Sequence, residues 1–477
     1  MIAEQNLAAT VRWPLAVAAA VAILLWPAIY NGFPMVFPDT GAYLSVAWGH
    51  YWTMDRSGFY GFFFRPLSFL APLPQLWLGL TVQVAVIAIT ILVVCWEMLP
   101  RRSLLGGLGV IGALAVFTSL PWHAAQLMPD GFTGVVVLAS WLACSRNLSE
   151  TGTPTLWFAT FLTGLLHYTH IPLIVAAVTG TLAIQLLFHS SPVGSVVRRA
   201  CVAAAVVVAI IGTQVAANGV FLKRWSPAPM GVMFLFARLH EDGLIAPWLS
   251  KHCNEGDTPV LCRSEAAFPR DSQELLWGNR SPFLMLILDP THKDTNPEFL
   301  AELRKASYGS ILQSPLRFGG SAAEGGFNQF IRFRVLDDEC PSMCRNPSSA
   351  LDGWFRDLRP SLLKPLFGSR QLRGDIPKRV FRTVTTPVAA LLLLLVPLAW
   401  CGAVRRQDYK SCTLLAAIMF ALITNAAESG ALSGVHDRYQ SRLIWTAPLG
   451  VLLVLLRWHF TTTALLKVEQ RDSALNQ

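Results

Sequence analysis

The chain has 477 residues, of which 53% are hydrophobic and only 14% charged, against roughly a quarter charged in a soluble globular domain. With a mean hydropathy of +0.45, this excludes a soluble enzyme, and the many apolar runs exclude both a disordered chain and a soluble one carrying a single signal peptide. The formal charge of +9 does not point to nucleic acid, because Lys and Arg sit largely in short doublets between apolar runs, where they act as topology signals.

The expected fold class is an all-α polytopic membrane protein. A spanning helix needs roughly 20 mostly apolar residues, since hydrocarbon offers an exposed backbone amide no partner, and about ten segments qualify. In chain order these are Trp13–Tyr30, Leu76–Leu99, Leu104–Leu120, Gly131–Cys144, Thr155–Thr169, Ile171–Phe188, Ala200–Phe221, Pro387–Val404, Cys412–Ala427 and Leu443–Trp458. With the N-terminus inside, Arg101 and Arg102, Arg146, Arg198 and Arg199, Arg405, Arg406 and Lys410, and the tail residues Arg457, Lys467 and Arg471 all fall on the cytoplasmic side, as the positive-inside rule requires. The C-terminus is then cytoplasmic too. The sparse loop charge and the lack of an N-terminal targeting segment lead us to expect a bacterial inner membrane.

Three regions follow: residues 1–221 with about seven spans, 222–386 as an extracytoplasmic domain between spans seven and eight, and 387–477 with about three spans and a cytoplasmic tail. The middle region is polar and rich in Pro and Gly, and long enough for its own core. Helical spacing over 230–249 and 297–312 makes it mainly helical. Cys95, Cys144, Cys201, Cys401 and Cys412 lie in or beside spans, whereas Cys253, Cys262, Cys340 and Cys344 share the outer region. Four cysteines in an oxidising compartment favour disulfides, the local pairs 253–262 and 340–344 being the simplest of three pairings. A zinc site that adds His252 is the competing reading, although the spacings match no common zinc motif.

Candidate chemistry lies on the outer face. The first outer loop reads Phe33-Pro34-Met35-Val36-Phe37-Pro38-Asp39-Thr40-Gly41-Ala42-Tyr43. A carboxylate there, between a proline and an apolar-aromatic helix, suits a general base, and it equally suits an N-cap. Asp55 and Arg56 follow, then Ser57-Gly58-Phe59-Tyr60-Gly61-Phe62-Phe63-Phe64-Arg65. Arginine forks flanking aromatic rings fit a lipid phosphate and its chain, or an ordinary aromatic belt with snorkelling cations.

The second outer turn repeats the Pro-Asp pair in Pro121-Trp122-His123-Ala124-Ala125-Gln126-Leu127-Met128-Pro129-Asp130. Two such helix starts on one side can bring two carboxylates to one cavity, although each alone is explained by capping. His167, Tyr168 and His170 make a polar wall at the same face. Before the last span, His436-Asp437-Arg438-Tyr439-Gln440-Ser441-Arg442 sets cations where a phosphate leaving group could bind, or forms a solvated loop with internal ion pairs.

Taken together, these features resemble the GT-C class of integral-membrane glycosyltransferases, which use polyprenyl-phosphate-linked sugars. The resemblance rests on Asp39-Thr40-Gly41-Ala42-Tyr43 in the first outer loop, Pro129-Asp130 in the next and Arg438-Tyr439 near a late span. It departs from the class in having Thr40 where a second adjacent acid is common, and in placing the outer region between spans seven and eight. It implies Asp39 as general base in an inverting displacement, with Asp130 as the second carboxylate. Arg56, Arg65, Arg438 and Arg442 would hold the phosphate, while His123 and Asp130 would orient acceptor or sugar. Tyr43, Asp55, His167, His170, His436, Asp437 and Tyr439 complete the expected substrate site.

The implied partners are a polyprenyl-phosphate-linked sugar, an acceptor that is a glycan, lipid or protein, and membrane lipid. No metal site or other cofactor is assigned, and a divalent cation stays open. Three other readings compete: an O-antigen-ligase-like transferase that takes a lipid diphosphate and relies on His436 and Arg438 rather than Asp39; a transporter or flippase, which would place ionisable residues near the bilayer midplane; and a structural membrane subunit whose outer domain binds a partner.

Overall fold

Without water, a chain satisfies its own amides most simply as helix, and helices are the regular elements among the described residues. The computed structural model describes residues 2–49, 52–100, 103–253, 258, 261–262, 268–278, 281, 283, 297–336 and 350–475. The chain enters through α1 (Ile2–Leu24) and α2 (Trp26–Asn31). Gly32 stops α2 in the left-handed region at φ +77°, where its amide closes onto the carbonyls of Ala28 and Ile29; a side chain there would be strained. The connection that follows α2 carries α3 (Thr40–Gly49) and α4 (Phe59–Phe64).

A run of membrane-type helices follows: α5 (Pro72–Met98), α6 (Leu104–Phe117), the short α7 (Leu120–Ala124), α8 (Thr133–Ser145), α9 (Thr153–Leu165), α10 (His170–Leu187) and α11 (Val193–Leu222). Region 222–386 contributes α12 (Gly231–Glu241), α13 (Ile245–His252), α14 (Ser272–Trp277), α15 (Pro297–Gln313), α16 (Pro315–Phe330), α17 (Ala350–Leu358) and α18 (Arg370–Arg373). The chain ends in α19 (Lys378–Arg405), α20 (Tyr409–Leu432), α21 (Asp437–Ile444) and α22 (Thr446–Leu475).

Every one of the ten apolar segments falls on a helix. Among the described residues, six helices are long and apolar enough to cross a membrane: α5, α10, α11, α19, α20 and the stretch Asp437–Thr462 formed by α21 and α22. The apolar part of α1, Arg12–Leu24, is shorter, and so are α6, α8 and α9. α6 has 14 residues and α8 and α9 have 13 each, about 20 Å of helix against about 30 Å of hydrocarbon. Flanking pieces extend two of them, α7 beyond α6 and the turn Pro129–Phe132 before α8. α8, α10 and α20 form the centre of the bundle, and their facing side chains, such as Trp141, Leu173, Ile174, Leu415 and Leu422, are buried. α11 and α19 instead expose apolar side chains, among them Val208, Ile211, Leu391, Leu394 and Leu398, which is the surface that lipid would cover.

The polar region 222–386 has two arrangements. α12 to α15 enclose a core of their own around Met233, Phe236, Leu249, Leu276, Phe283 and Leu303. A disulfide joins Cys253 to Cys262 across a Cα–Cα distance of 5.6 Å; Cys340 and Cys344 lie outside the described residues. His252 stacks on Trp248 at 3.9 Å and hydrogen-bonds its carbonyl, so it is engaged away from the sulfurs. Val335, Leu351, Phe355, Leu362 and Leu372, by contrast, join the main core with the membrane helices. Composition marks this region as polar, but it does not reveal which of its apolar residues find partners outside it. α16 lies along α20, where Gly325 and Gly430 meet backbone to backbone, and a Cβ on either would collide with the other's carbonyl.

Candidate functional site

The first loop fixes its acid by turn chemistry. The Phe37 amide donates to Thr40 Oγ1 at 2.8 Å and the Thr40 amide to the Phe37 carbonyl at 2.9 Å, so the Thr40 hydroxyl serves the turn that opens α3. The Asp39 carboxylate is directed elsewhere: Oδ1 faces Arg56 Nη1 at 3.0 Å and Oδ2 faces Arg438 Nη1 at 3.5 Å. Capping therefore does not account for Asp39. Its side chain is 26% exposed, against 10% for Arg56 and 14% for Arg438, which makes it the most accessible of the three.

Arg56 is doubly held, since its Nε donates to Asp55 Oδ2 at 2.8 Å and its Nη2 pairs with the same oxygen. Burial would weaken its charge, but Asp39 and Asp55 outweigh this and raise its pKa well above the ordinary value. The guanidinium lies over the Tyr43 ring at 5.2 Å. Burial pushes the Tyr43 phenol well up, so it stays a neutral hydrogen-bonding group.

The two Pro-Asp loops are stitched by backbone. The Met35 amide donates to the Ala125 carbonyl at 3.0 Å and the Leu127 amide to the Met35 carbonyl at 2.8 Å, an isolated parallel bridge between Met35 and Gln126. Four residues after Gln126 comes Asp130, whose Oδ1 takes Arg442 Nη1 at 2.7 Å. Burial would raise this carboxyl, but Arg438 and Arg442 outweigh it and hold Asp130 well below the usual carboxylate range. Arg442 also donates through Nη2 to Asn425 Oδ1 at 3.0 Å and Thr169 Oγ1 at 3.2 Å. The Thr169 hydroxyl contacts His167 Nδ1 at 2.7 Å, and the His167 ring lies 6.5 Å from that of Tyr43.

α21 organises both acids. Arg438 and Arg442 are one turn apart on it, the first reaching Asp39 and the second Asp130, with the Tyr439 ring 5.3 and 5.5 Å from their guanidinium carbons. Arg438 also lies 3.8 Å over the Phe37 ring. Residues of region 222–386 hold this helix in place: Gln329 bonds both the amide and the carbonyl of His436 at 2.8 Å, and the Arg334 amide donates to Asp437 Oδ1 at 2.7 Å. Gln371 does the same for the first loop, accepting from the Val36 amide at 3.0 Å and donating to the Val36 carbonyl at 2.8 Å.

His123 sits beside this frame, with Nε2 2.9 Å from Ser441 Oγ, which lies 3.1 Å from the Arg438 carbonyl. If the one hydroxyl proton goes to that carbonyl, Nε2 carries the imidazole proton and Nδ1 keeps a lone pair. Nδ1 is buried without a hydrogen-bond partner. Burial pushes the His123 pKa down to about 4, with Arg438 and Arg442 acting in the same direction and Asp130 against it. A cavity of about 40 Å³ lies here, lined by Phe37, His123, Gln126, Arg334 and Arg438 among others, room for a water or two.

The structure thus gathers Asp39, Tyr43, Asp55, Arg56, His123, Asp130, His167, Arg438, Tyr439 and Arg442 at one end of the bundle. His170 is close by but wholly buried and spent on Thr163 O at 2.7 Å and Thr133 Oγ1 at 3.3 Å. Arg65 stands apart over Phe62 at 5.7 Å. His436 contributes its ring edge-on to Tyr439 at 5.3 Å. Asn425, Thr169, Gln329 and Gln371 were not foreseen; only Asn425 carried a signal, as an amide inside an apolar span. Among the described residues no group of three or more His, Cys, Asp and Glu side chains is placed to hold a metal ion. No family model, curated protein or solved structure matches the chain.

Proposed function

We propose that the chain is an integral-membrane glycosyltransferase that moves a sugar from a polyprenyl-phosphate carrier to a hydroxyl of a glycan, lipid or protein acceptor on the outer face. The observation that carries this reading is Asp39, partly exposed and shared by Arg56 and Arg438, inside the Asp39-Thr40-Gly41-Ala42-Tyr43 stretch that resembles the first-loop motif of the GT-C class. With it goes the finer topology: about ten spans, both termini cytoplasmic, region 222–386 on the periplasmic side, and a bacterial inner membrane.

Charge balance favours the chemistry. Asp39, Asp55 and Asp130 face Arg56, Arg438 and Arg442, three carboxylates against three guanidiniums. A donor phosphate competes with Asp39 for Arg56 and Arg438 and so frees the carboxylate's lone pairs for the acceptor hydroxyl. The hydroxyl proton passes to Asp39 as its oxygen bonds to the anomeric carbon. The bond from that carbon to the phosphate breaks with its electron pair, and the carrier phosphate goes from one negative charge to two. Neutral Asp39 then leaves one positive charge uncompensated, which the departing phosphate takes up. A single displacement inverts the anomeric configuration.

The test is mass spectrometry of lipid-linked sugars and surface glycans in a deletion strain of the native host, complemented with wild type or Asp39→Asn. Loss of one glycan unit, restored by wild type and not by a membrane-inserted Asp39→Asn, supports the reading. Retention of configuration in the product would refute the single displacement. A second reading is an O-antigen-ligase-like transferase with an imidazole base, for which the sequence points to His436 with Arg438; we move the base to His123, whose Nδ1 is buried without a hydrogen-bond partner beside the cavity that Arg438 lines, because the His436 ring packs edge-on against Tyr439. It predicts that Asp39→Asn restores the glycan and His123→Ala does not.

A further inference from the structure

The opposite end of the bundle holds a second polar site. A cavity of about 670 Å³ opens there, lined by Ser145, Gln185, Arg406, Lys410, Arg457 and Trp458 among others. Along α20 it lies near Lys410, fifteen residues and about 22 Å from Asn425 at the outer cluster. Its size is that of a small-molecule site, and it belongs to the end that carries the arginine doublets.

The local charges do not balance. Glu97 is shared by Lys410 Nζ at 2.9 Å and by Arg146, and Asp408 takes Arg457 Nε at 2.9 Å. Arg406 lies 4.6 Å over the Trp458 ring. Among the described residues, Arg406, Lys410 and Arg457 line the cavity with Asp408, three cations and one acid, while Glu97 and Arg146 pair outside its lining. Asp408 has little left to offer, because it also caps α20 through the Ser411 amide at 3.3 Å and hydroxyl at 2.7 Å. The surplus is built in by the turn between α19 and α20, where Gln407 adopts φ +54° and returns Arg406 towards α22.

Two neutral donors join the cations. Ser145 Oγ and Trp458 Nε1 are buried without a hydrogen-bond partner, an arrangement that native structures leave only where something else completes it. The start of α20 adds the positive end of a helix of 24 residues. Surplus guanidinium and ammonium groups, unused hydroxyl and indole donors and a helix start in one cavity fit an acceptor-only anion, and a phosphate group satisfies all of them.

We propose that this cavity binds a phosphate group, either the headgroup of an anionic lipid or a soluble phosphate, at a site separate from the Asp39 cluster and independent of the transferase reading. The test uses the full-length protein and two probes. In one arm, wild type and Arg406→Glu are reconstituted in mixed phosphatidylcholine and phosphatidylglycerol vesicles, and co-purifying lipid is quantified by native mass spectrometry. In the other, the melting temperature is read with inorganic phosphate against chloride at equal ionic strength. Arg406 is exposed, so its variant should fold; Ser145→Val serves as the second variant.

Retention of phosphatidylglycerol that falls about tenfold or more in Arg406→Glu assigns the site to a lipid headgroup. A stabilisation by inorganic phosphate that both variants lose assigns it to a soluble ligand. If neither probe distinguishes wild type from either variant, the proposal is overturned.

Discussion

Arg442 and Asp130 stand 312 positions apart in the chain and meet at 2.7 Å with each side chain only 1% exposed. Such a pair has given up its hydration, and Asn425 and Thr169 brace it by taking the Arg442 Nη2 donors, while Arg442 Nε and Asp130 Oδ2 are buried without a hydrogen-bond partner among the described residues. The pair frames the site, and Asp39, with a side chain 26% exposed, is the more open acid beside it. Asp130→Ala and Arg442→Met should each destabilise the protein by about 3–5 kcal/mol, and the double change Asp130→Leu with Arg442→Met should recover most of that loss. Thermal unfolding of the detergent-purified variants measures this. Additive single effects would show that the two charges are not coupled.

Asp39 should behave in the opposite way. Its pairing with Arg438 is longer and its side chain more open, and Arg56 keeps Asp55 when Asp39 is changed. Asp39→Asn should therefore alter stability by less than about 1 kcal/mol. If Asp39 is the base, transfer should fall by about 10²–10⁴-fold. A large drop in melting temperature with unchanged transfer would mark Asp39 as a structural residue instead.

His123 sets a pH dependence whose sign follows from its burial. Unfolded, the imidazole titrates at its ordinary value near 6.5; folded, it is held down to about 4. Between these values the unfolded chain binds the proton and the folded one does not, so stability rises with pH across that window. The contribution is complete above about 6.5 and is lost as pH falls through about 4. Melting temperatures measured from pH 7 down to 4 should fall less steeply in His123→Asn than in wild type. Parallel curves would mean that the folded imidazole titrates normally.

Hydropathy alone exposed the ten apolar helices, because a lipid-facing or buried helix must be apolar along its length whatever its neighbours. It overstated spanning length for α6, α8 and α9, whose apolar runs continue into the turns beside them. The acids and arginines of the site were legible as residue types on one face, and their partners were not: nothing local tells Arg438 to meet Asp39 and Arg442 to meet Asp130. Gln329 and Gln371 left no trace because a side chain that bonds backbone needs no pattern in its partner. α16 was missed because a Gly-rich stretch reads as loop, whereas here small residues let it lie against α20.

Gln371 ties region 222–386 to the loop that carries Asp39. Val36 is buried, and its amide and carbonyl are both served by the Gln371 side chain. Gln371→Leu keeps the volume and removes both bonds, leaving two buried backbone groups unpaired at about 1–3 kcal/mol each. The expected result is a loss of roughly 2–4 kcal/mol in thermal or denaturant unfolding, together with slower transfer, since Val36 lies three residues before Asp39. A variant as stable as wild type would mean that water replaces the amide at Val36.

Two glycines of α16 should respond in opposite directions to the same substitution. A Cβ at Gly325 collides with the backbone of Gly430, and a backbone carbonyl cannot rotate away as a flexible side chain can. Gly325→Ala must therefore part α16 from α20, at a cost of about 1–3 kcal/mol. Gly320 lies in the same helix with nothing within 4 Å of its Cβ position. There the added methyl meets no neighbour, while alanine restricts the unfolded chain and favours helix, so Gly320→Ala should stabilise by about 0.4–1 kcal/mol. Because both variants make the same chemical change in one helix, propensity cancels in their comparison and the difference in melting temperature reports the crossing itself. Equal shifts would show that α16 does not lie against α20 at Gly430, and with it the hold of Gln329 on His436 would lose its support.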